Sequence, residues 1–534
     1  MRRPWSPRRP ADLGKPQPRW LLLALLAGLA AGFAHPPFGV LPGLLGFTAL
    51  MWSVDQAGPH RPVRSAFLRG LAAGFGFFLV SLWWVAEAFF VDAAAHGWMA
   101  PVVMLILPTG LALFWAAACA LYKAFGATGL RRALVFAACF GLFEWLRGHV
   151  LTGFPWNLPG QTWAAGSAPS QAASVIGAYG LSVITVLAAA LLAVALGPEG
   201  RRTRVAAVAL TLTLLGGLYG FGAWRLAQPA PPDQAFAVRV VQPNLGQADK
   251  RMGDVDGVID LYLALTRRPG LERADVVIWP EGAVPAVAND FLGADEARRR
   301  RIAAALAPGQ RLMLGAIRAE PAPEEADGHR VFNSLLALER VETAAGPDLR
   351  LLGFYDKHRL VPLGEYLPLR SLLEPVGFVR LTQAPEDFAA GPRPAPLSIP
   401  GLPRVQPLIC YESLFPGFTS EVGGRPAWIV NPSNDSWFGR TSGPWQHLNI
   451  MAYRGIEEGL PVVRATPTGV SAVIDPLGRT RSRLAIGEQG VIDLTVPGAQ
   501  PRTVYAWLGE TSFWLMTLMG LVLGLPLRRF ISRE

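Results

Sequence analysis

A bundle of membrane-spanning helices carrying a water-exposed α/β sandwich is the fold this sequence predicts, and three observations predict it. Long apolar runs dominate the chain up to about Trp224, whereas the stretch from about Phe236 to Arg502 reads like a soluble domain. Charged residues make up only 16% of the 534 residues, against about a quarter in ordinary globular domains. Basic residues also gather in alternate loops between the apolar runs, as they do where a membrane protein fixes its orientation.

A spanning helix needs roughly 20 mostly apolar residues. Such runs lie near residues 20–35, 40–54, 67–90, 99–121, 132–147, 171–196 and 204–225, with an isolated one near 506–527; the second and fifth are short. The basic segment 1–19 (Arg2, Arg3, Arg8, Arg9, Lys15, Arg19) precedes the first run as a signal peptide would, but no convincing small-residue cleavage site follows and further spans do. The loop from His35 to Pro42 lacks Lys and Arg, the next carries Arg61, Arg64 and Arg69, and the one around Asp92 and His96 has none. Lys123, Arg131 and Arg132 follow, then Arg201, Arg202 and Arg204, and finally Arg528, Arg529 and Arg533. By the positive-inside rule both termini are expected in the cytoplasm. Seven spans in 20–228 then place the polar domain, 229–503, outside, and the eighth, in 504–534, returns the chain.

Spread in this way, the net charge of +10 answers to a lipid bilayer. No basic stripe with interleaved aromatics is present, so nucleic acid is not an expected partner. Cys119 and Cys139 fall inside apolar runs and read as small buried hydrophobes, while Cys410 stands alone in the polar domain. Between the fifth and sixth runs, Glu144-Trp145-Leu146-Arg147-Gly148 and Leu151-Thr152-Gly153-Phe154-Pro155-Trp156-Asn157 put charges and aromatics at the bilayer edge. Ionisable groups there are costly unless paired or near water. They read either as a Glu144–Arg147 pair with a Trp belt or as a floor that holds a lipid head group.

From Phe236 onward, short β-branched runs alternate with helical stretches. Ala237–Gln242, Ala274–Trp279, Arg311–Ile317, Ser334–Glu339, Val405–Cys410, Trp428–Asn431 and Pro461–Arg464 read as strands, and Arg298–Ala307 and Trp445–Glu458 as helices. That alternation predicts an α/β sandwich whose apolar strands are covered on both faces. Glu281 and Cys410 lie at the ends of such strands, where α/β enzymes place their chemistry, and Lys357 lies in the charge-dense run Tyr355 to Pro362. A thiol needs a base to become a thiolate, and a tetrahedral oxyanion needs a positive partner. Glu281, Lys357 and Cys410 supply base, cation and nucleophile.

At these residues the chain resembles the nitrilase superfamily, whose members use a Glu-Lys-Cys triad on an αββα sandwich. The flanking words resemble one branch of it, the apolipoprotein N-acyltransferases of bacterial inner membranes. They are Trp279-Pro280-Glu281, Tyr355-Asp356-Lys357-His358, Gly364-Glu365-Tyr366, Cys410-Tyr411-Glu412 and the run Asn431 to Phe438, with Leu146-Arg147-Gly148 and Thr152 to Trp156 in the membrane half. The resemblance runs in order over nearly the whole chain. It implies Glu281 as general base, Lys357 as oxyanion stabiliser and Cys410 as nucleophile, with Glu365, Tyr411 and Glu412 supporting the site. One departure is Arg251, where the family pattern often has Trp.

The expected reaction is a ping-pong acyl transfer. An acyl chain passes from a phospholipid donor to Cys410, then from the thioester to the α-amine of a diacylglyceryl-cysteine at an apolipoprotein N-terminus. No cofactor or metal is expected: His358 and His447 lie far apart and lack ligand spacing, and His358 reads as a supporting neighbour of Lys357. A monomer is expected, with mobile apolar lids at Leu381 to Gly391 and Trp437 to Gly443. The nearest rival is a membrane-tethered amidase or hydrolase with the same triad. A transporter or binding receptor would call for paired ionisable residues deep in several spans, and Glu87 near a span end is nearly all there is.

Overall fold

The computed structural model describes residues 18–525 apart from 59, 248, 250–253, 326–327, 369, 374–386 and 420–421. Residues 1–17, Arg251, the greater part of the Leu381 to Gly391 lid candidate, and Arg528, Arg529 and Arg533 lie outside the described residues.

The membrane half is built from α1 (Pro18–Phe33), α2 (Leu45–Asp55), α3 (Pro62–Leu82), α4 (Met99–Phe125), α5 (Arg131–His149), α6 (Ala173–Ala195) and α7 (Arg201–Leu226), joined by the C-terminal helix Thr511–Gly524. Small residues set its tightest crossings, as they do between helices in lipid. Gly28 of α1 rests on the backbone of Ala73 in α3, and Gly70 of α3 on the backbone of Trp115 and Ala116 in α4, leaving no room for a Cβ at either.

The helices depart from the expected spans in length. Among the described residues four are long and apolar enough to cross a membrane: Pro62–Phe90, Met99–Phe125, Pro169–Ala195 and Arg201–Leu226, and Pro18–Phe33 and Thr511–Gly524 are apolar but shorter. The expected span 40–54 contains a 3-10 turn, Leu41–Leu44, before α2, which has 11 residues. At about 1.5 Å per residue such a helix covers roughly half of a 30 Å hydrocarbon core. The expected span 132–147 is α5, with Arg131, Arg132, Glu144 and Arg147 on one helix. Length and apolarity therefore single out fewer than eight helices. Expected run 171–196 is also not one straight helix, because Gly177 in α6 has φ +67° and ψ 174°.

Arg147 and Glu144 are both buried and form an ion pair on α5. Trp115 Nε1 donates to Glu144 at 2.7 Å, and Arg147 donates to the carbonyls of Phe154 and Trp156. The pair is thus also the bracket that holds the 150–157 loop against the bundle.

The polar half is a four-layer sandwich. One sheet has the order β11-β1-β2-β3-β4-β5, formed by Gly490–Thr495, Ala237–Gln242, Val276–Trp279, Arg311–Pro321, His329–Thr343 and Gly346–Asp356. The other has the order β10-β9-β8-β7-β6, formed by Thr480–Leu484, Ser471–Ile474, Val462–Ala465, Trp428–Pro432 and Val405–Pro407. Both sheets are mixed: β1, β2 and β3 run parallel, as do β6, β7 and β8, while the outer strands pair antiparallel. Val238, Val240, Ile278 and Met313 of the first sheet meet Trp428, Val430, Val463 and Val473 of the second in one buried core. Helices α8 (Val255–Thr266) and α9 (Glu296–Ala303) cover the far side of the first sheet, and α10 (Gly443–Glu458) that of the second. Alternation along the strands therefore gives each sheet two apolar faces, as a buried sheet requires.

The two halves share one apolar cluster. Tyr411, Leu414, Phe415, Ile450, Tyr453 and Ile456 of the sandwich are buried together with Trp156, Leu158, Trp163 and Tyr179 of the bundle. Directional contacts fix the register: Tyr453 donates to the carbonyls of Gly160 and Trp163 at 2.9 and 2.6 Å, and Trp156 Nε1 donates to Gln446 at 2.8 Å.

Candidate active site

Three strand ends converge on the seam between the halves. β2 ends at Trp279, and Pro280-Glu281 follow it; β5 ends at Asp356, and Lys357 follows; β6 ends at Pro407, three residues before Cys410. The expected strand Val405–Cys410 thus stops short, and Cys410 opens a 3-10 turn, Cys410–Leu414. Its φ is +47°, a conformation a side-chain-bearing residue rarely adopts and one that costs of order 1–3 kcal/mol. The surrounding bonds hold it. Ser413 Oγ donates to the Cys410 carbonyl at 2.7 Å, Asn431 Nδ2 to the Leu408 carbonyl at 2.5 Å, and Ile409 N to Glu412 Oε2 at 2.8 Å. A sharp elbow of this kind presents its nucleophile away from the strand.

Lys357 Nζ donates to Glu281 Oε1 at 3.1 Å and to Glu365 Oε1 at 2.9 Å. Asn333 Nδ2, on β4, donates to the same two oxygens at 2.6 and 2.7 Å. Val361 N occupies the other Glu365 oxygen at 2.8 Å, whereas Glu281 Oε2 is buried with no hydrogen-bond partner among the described residues. Burial alone would lower the Lys357 ammonium, but Glu281 and Glu365, with Cys410 beside them, hold it well above the usual lysine value. Burial pushes the Cys410 thiol up to about 12, and the Glu281 carboxylate adds to that push against the opposing Lys357 cation. A thiol so placed rests protonated and reacts only if a base takes its proton.

The supporting residues fall into place around this cluster. Glu365 touches Lys357 directly. Glu412 is fully buried and bolts two loops together: Oε1 accepts from Tyr355 Oη at 2.8 Å, His358 N at 2.7 Å and Arg359 N at 3.2 Å, while Oε2 accepts from Ile409 N. Burial raises its carboxyl to about 7, against donors that all favour the anion. Tyr411 points away from the sandwich, its Oη donating to the Gly153 carbonyl at 2.6 Å and its ring stacking on Phe154. His358 also belongs to this loop, Nδ1 meeting the Gly391 carbonyl at 2.8 Å. Glu412→Gln puts an NH2 group where N–H donors converge and releases the Cys410 elbow from the Lys357 loop. Acyl-enzyme formation is expected to fall about 100-fold, worth about 2.7 kcal/mol, while Tyr355→Phe costs under about tenfold; single-turnover mass spectrometry reads both.

Two features escape a reading of the sequence. Asn333 is one. The other is a buried chain beneath the elbow: Arg464 pairs with Asp435 at 2.6 Å, Asp435 with His447 Nδ1 at 2.9 Å, and His447 Nε2 meets Ser413 Oγ at 2.9 Å. Burial, with Arg464 close by, lowers the His447 imidazole, and the ring bridges Asp435 and Ser413 beneath the elbow. In the expected lid Trp437 to Gly443, Phe438 packs on Trp84 and Trp156 at ring distances of 4.3 and 5.9 Å. Among the described residues no group of three or more His, Cys, Asp or Glu is placed to hold a metal.

A thiol on an elbow, an ammonium and carboxylates at the strand ends of an αββα sandwich define the carbon-nitrogen hydrolase class, and residues 237–503 match the family model described as carbon-nitrogen hydrolase. Residues 27–191 match the model described as apolipoprotein N-acyltransferase N-terminal domain. A protein of Caulobacter vibrioides named apolipoprotein N-acyltransferase is 50% identical over 95% of this chain and 94% of its own length. Proteins of the same name from Rhodopseudomonas palustris and Bradyrhizobium diazoefficiens are each 38% identical, over 95% and 96% of this chain and 95% of their own lengths. The chain belongs to the apolipoprotein N-acyltransferase family.

Proposed function

We propose that this protein moves an acyl chain from a phospholipid to the α-amine of an N-terminal diacylglyceryl-cysteine on apolipoproteins, through a thioester on Cys410. The names of the relatives and both family matches support the reaction. The observation that carries it to a lipid substrate is the bond from Tyr411, next to the nucleophile, to Gly153 in the bundle. That contact seats the thiol on the membrane half, where soluble amides have no need of it.

Glu281, through its unpartnered Oε2, takes the thiol proton as Cys410 attacks the acyl ester. Lys357 faces the oxyanion that forms, in a site where water is excluded and a fixed charge counts for more than in solution. The C–O bond breaks, Glu281 returns the proton to the leaving oxygen, and a lysophospholipid departs. The amine then attacks the thioester carbonyl, the C–N bond forms, the C–S bond breaks, and the proton from the amine restores the thiol. Glu365 and Asn333 fix the ammonium, Glu412 fixes the two loops to each other, and Tyr411 fixes the elbow to the bilayer level. Holding two lipidic substrates beside one thiol can supply several kcal/mol of the barrier.

The apolar helices and the relatives support a place in the bacterial inner membrane. The alternate basic loops support eight crossings, short ones included, with the sandwich in the periplasm and both termini in the cytoplasm. Exposing the purified protein to a phospholipid should add one acyl mass to the peptide containing Cys410. A diacylglyceryl-cysteine peptide should then remove it and gain the same mass. An adduct that water clears as fast as the peptide does would favour the hydrolase and sink the transferase.

A further inference from the structure

A cavity of about 340 Å³ opens where the bundle meets the sandwich, beside the start of the C-terminal helix. His149 closes it from the end of α5, Tyr179 from α6, Arg359 and Phe415 from the sandwich, and Tyr505 and Glu510 from the segment leading into the C-terminal helix. Tyr179 and Tyr505 are 2% and 1% exposed, yet neither hydroxyl has a hydrogen-bond partner among the described residues. Buried hydroxyls without partners are costly and rare, so two on one cavity wall call for a ligand that accepts from them. Arg359 adds a cation. Its guanidinium lies over the Phe415 ring at 4.0 Å, and Nη1 donates to the Thr152 carbonyl at 2.9 Å, which leaves further N–H donors on the same fork. Glu510, which accepts from Trp145 Nε1, adds a carboxylate to the same lining.

The chain flanking these lining residues is greasy. Val150 and Leu151 follow His149, and Trp507 and Leu508 fall between Tyr505 and Gly509; all four are exposed, Leu151 at 91% and Trp507 at 69%. Exposed apolar and aromatic side chains next to polar ones mark the boundary between hydrocarbon and head groups. The loops are shared with the chemistry. Arg359 lies two residues past Lys357, its N–H bonded to Glu412, and Phe415 directly follows the turn that Cys410 opens.

We propose that this cavity seats the phosphate head group of the donor phospholipid. Arg359, Tyr179 and Tyr505 donate to the phosphodiester, and Glu510 faces a head-group amine where there is one. The inference rests on the acyl-transfer reading and deepens it. A seated phosphate holds the glycerol ester at the two loops that carry Cys410 and Lys357, while the acyl tails stay among the exposed apolar residues of the flanking segments.

The test compares two acyl donors in the same detergent micelles, using the full chain: a dioleoyl phospholipid and a long-chain p-nitrophenyl ester, which lacks phosphate. Acylation of Cys410 is followed by mass. For Arg359→Gln the phospholipid concentration giving half-maximal acylation should rise about tenfold. For Tyr179→Phe with Tyr505→Phe it should rise about threefold. Acylation by the p-nitrophenyl ester should stay within about twofold of wild type. Equal losses with both donors would make these residues structural, and unchanged phospholipid kinetics would leave the cavity without the head group; either overturns the proposal. Slower release to a diacylglyceryl-cysteine peptide, with phospholipid acylation intact, would assign the cavity to the acceptor and overturn it too. So would displacement of the phospholipid by inorganic phosphate at an equal concentration. A wild-type protein that takes acyl groups from the p-nitrophenyl ester but never from phospholipid would instead break the transferase reading on which the site depends.

Discussion

Cys410→Ala is expected to accept no acyl group from phospholipid and to lose at least about four orders of magnitude in transfer rate, the scale on which loss of a covalent nucleophile is felt. The other two cysteines offer no substitute: Cys119 and Cys139 are fully buried in the bundle. The elbow should survive, because Ser413, Asn431 and Glu412 hold it through main-chain atoms of residues 408–410 and none of those bonds needs the sulfur. Thermal unfolding of the variant in detergent should therefore stay close to wild type, which separates lost chemistry from lost structure. Cys410→Ser adds a second comparison. A hydroxyl gives up its proton far less readily than a thiol, so acylation should proceed only through slow ester formation. Transfer by Cys410→Ala at a rate near wild type would refute the nucleophile.

The fold was legible wherever apolar patterning is strong and local. Strand β1 occupies the residues that alternation predicts, and β2, β3, β7 and β8 lie within a few residues of expectation, since each is buried on both faces. β5, β9, β10 and β11 were not foreseen. β5, β10 and β11 sit at sheet edges, and β10 is largely exposed, while the buried β9 is only four residues long. The membrane half shows the opposite error. Hydropathy marks where lipid-compatible segments lie, but it does not see that Leu41–Leu44 winds as a 3-10 turn or that Gly177 breaks α6 against Tyr505. Those features come from packing between distant segments.

The site was legible as chemistry but not as support. Glu281 and Cys410 stand out because each follows an apolar run and Lys357 because it lies in a charge-dense one, and each supplies a group that acyl transfer would require. Asn333 does not, since a polar residue inside a long strand looks like an outward-facing position until the pairing of β4 with β3 and β5 turns it inward. His447 and Asp435 lay inside segments already marked, a helix and the Asn431 to Phe438 run. Their bond, 2.9 Å long, joins residues twelve apart and has no periodicity to announce it. The Glu144–Arg147 pair was readable from its spacing of three on a helix, although its hold on the 150–157 loop was not.

Lys357→Met is expected to have the second largest effect and to fail in a pH-dependent way. In the wild type one ammonium, 1% exposed, sits between Glu281 and Glu365 at 3.1 and 2.9 Å. Asn333 donates to both carboxylates but brings no charge. Methionine keeps the volume and removes the cation, so two buried carboxylates face each other uncompensated. Breaking a buried ion pair from one side costs about 3–5 kcal/mol, and loss of the oxyanion partner should lower acylation of Cys410 by about 10²–10³-fold. Like charges this close relieve themselves by binding a proton between them, which the unfolded chain at neutral pH does not do. The folded variant thus binds more protons than its unfolded state, and its stability must fall as pH rises. The stability gap to wild type should therefore be widest in alkaline buffer and close as pH drops toward the ordinary glutamate value of about 4.3. Thermal unfolding of both proteins across pH 5 to 9, a range of about four units chosen to lie above that value, reads the sign. A gap that stays constant over that range would mean that Lys357 does not compensate the two carboxylates, and the electrostatic core of the site would have to be redrawn.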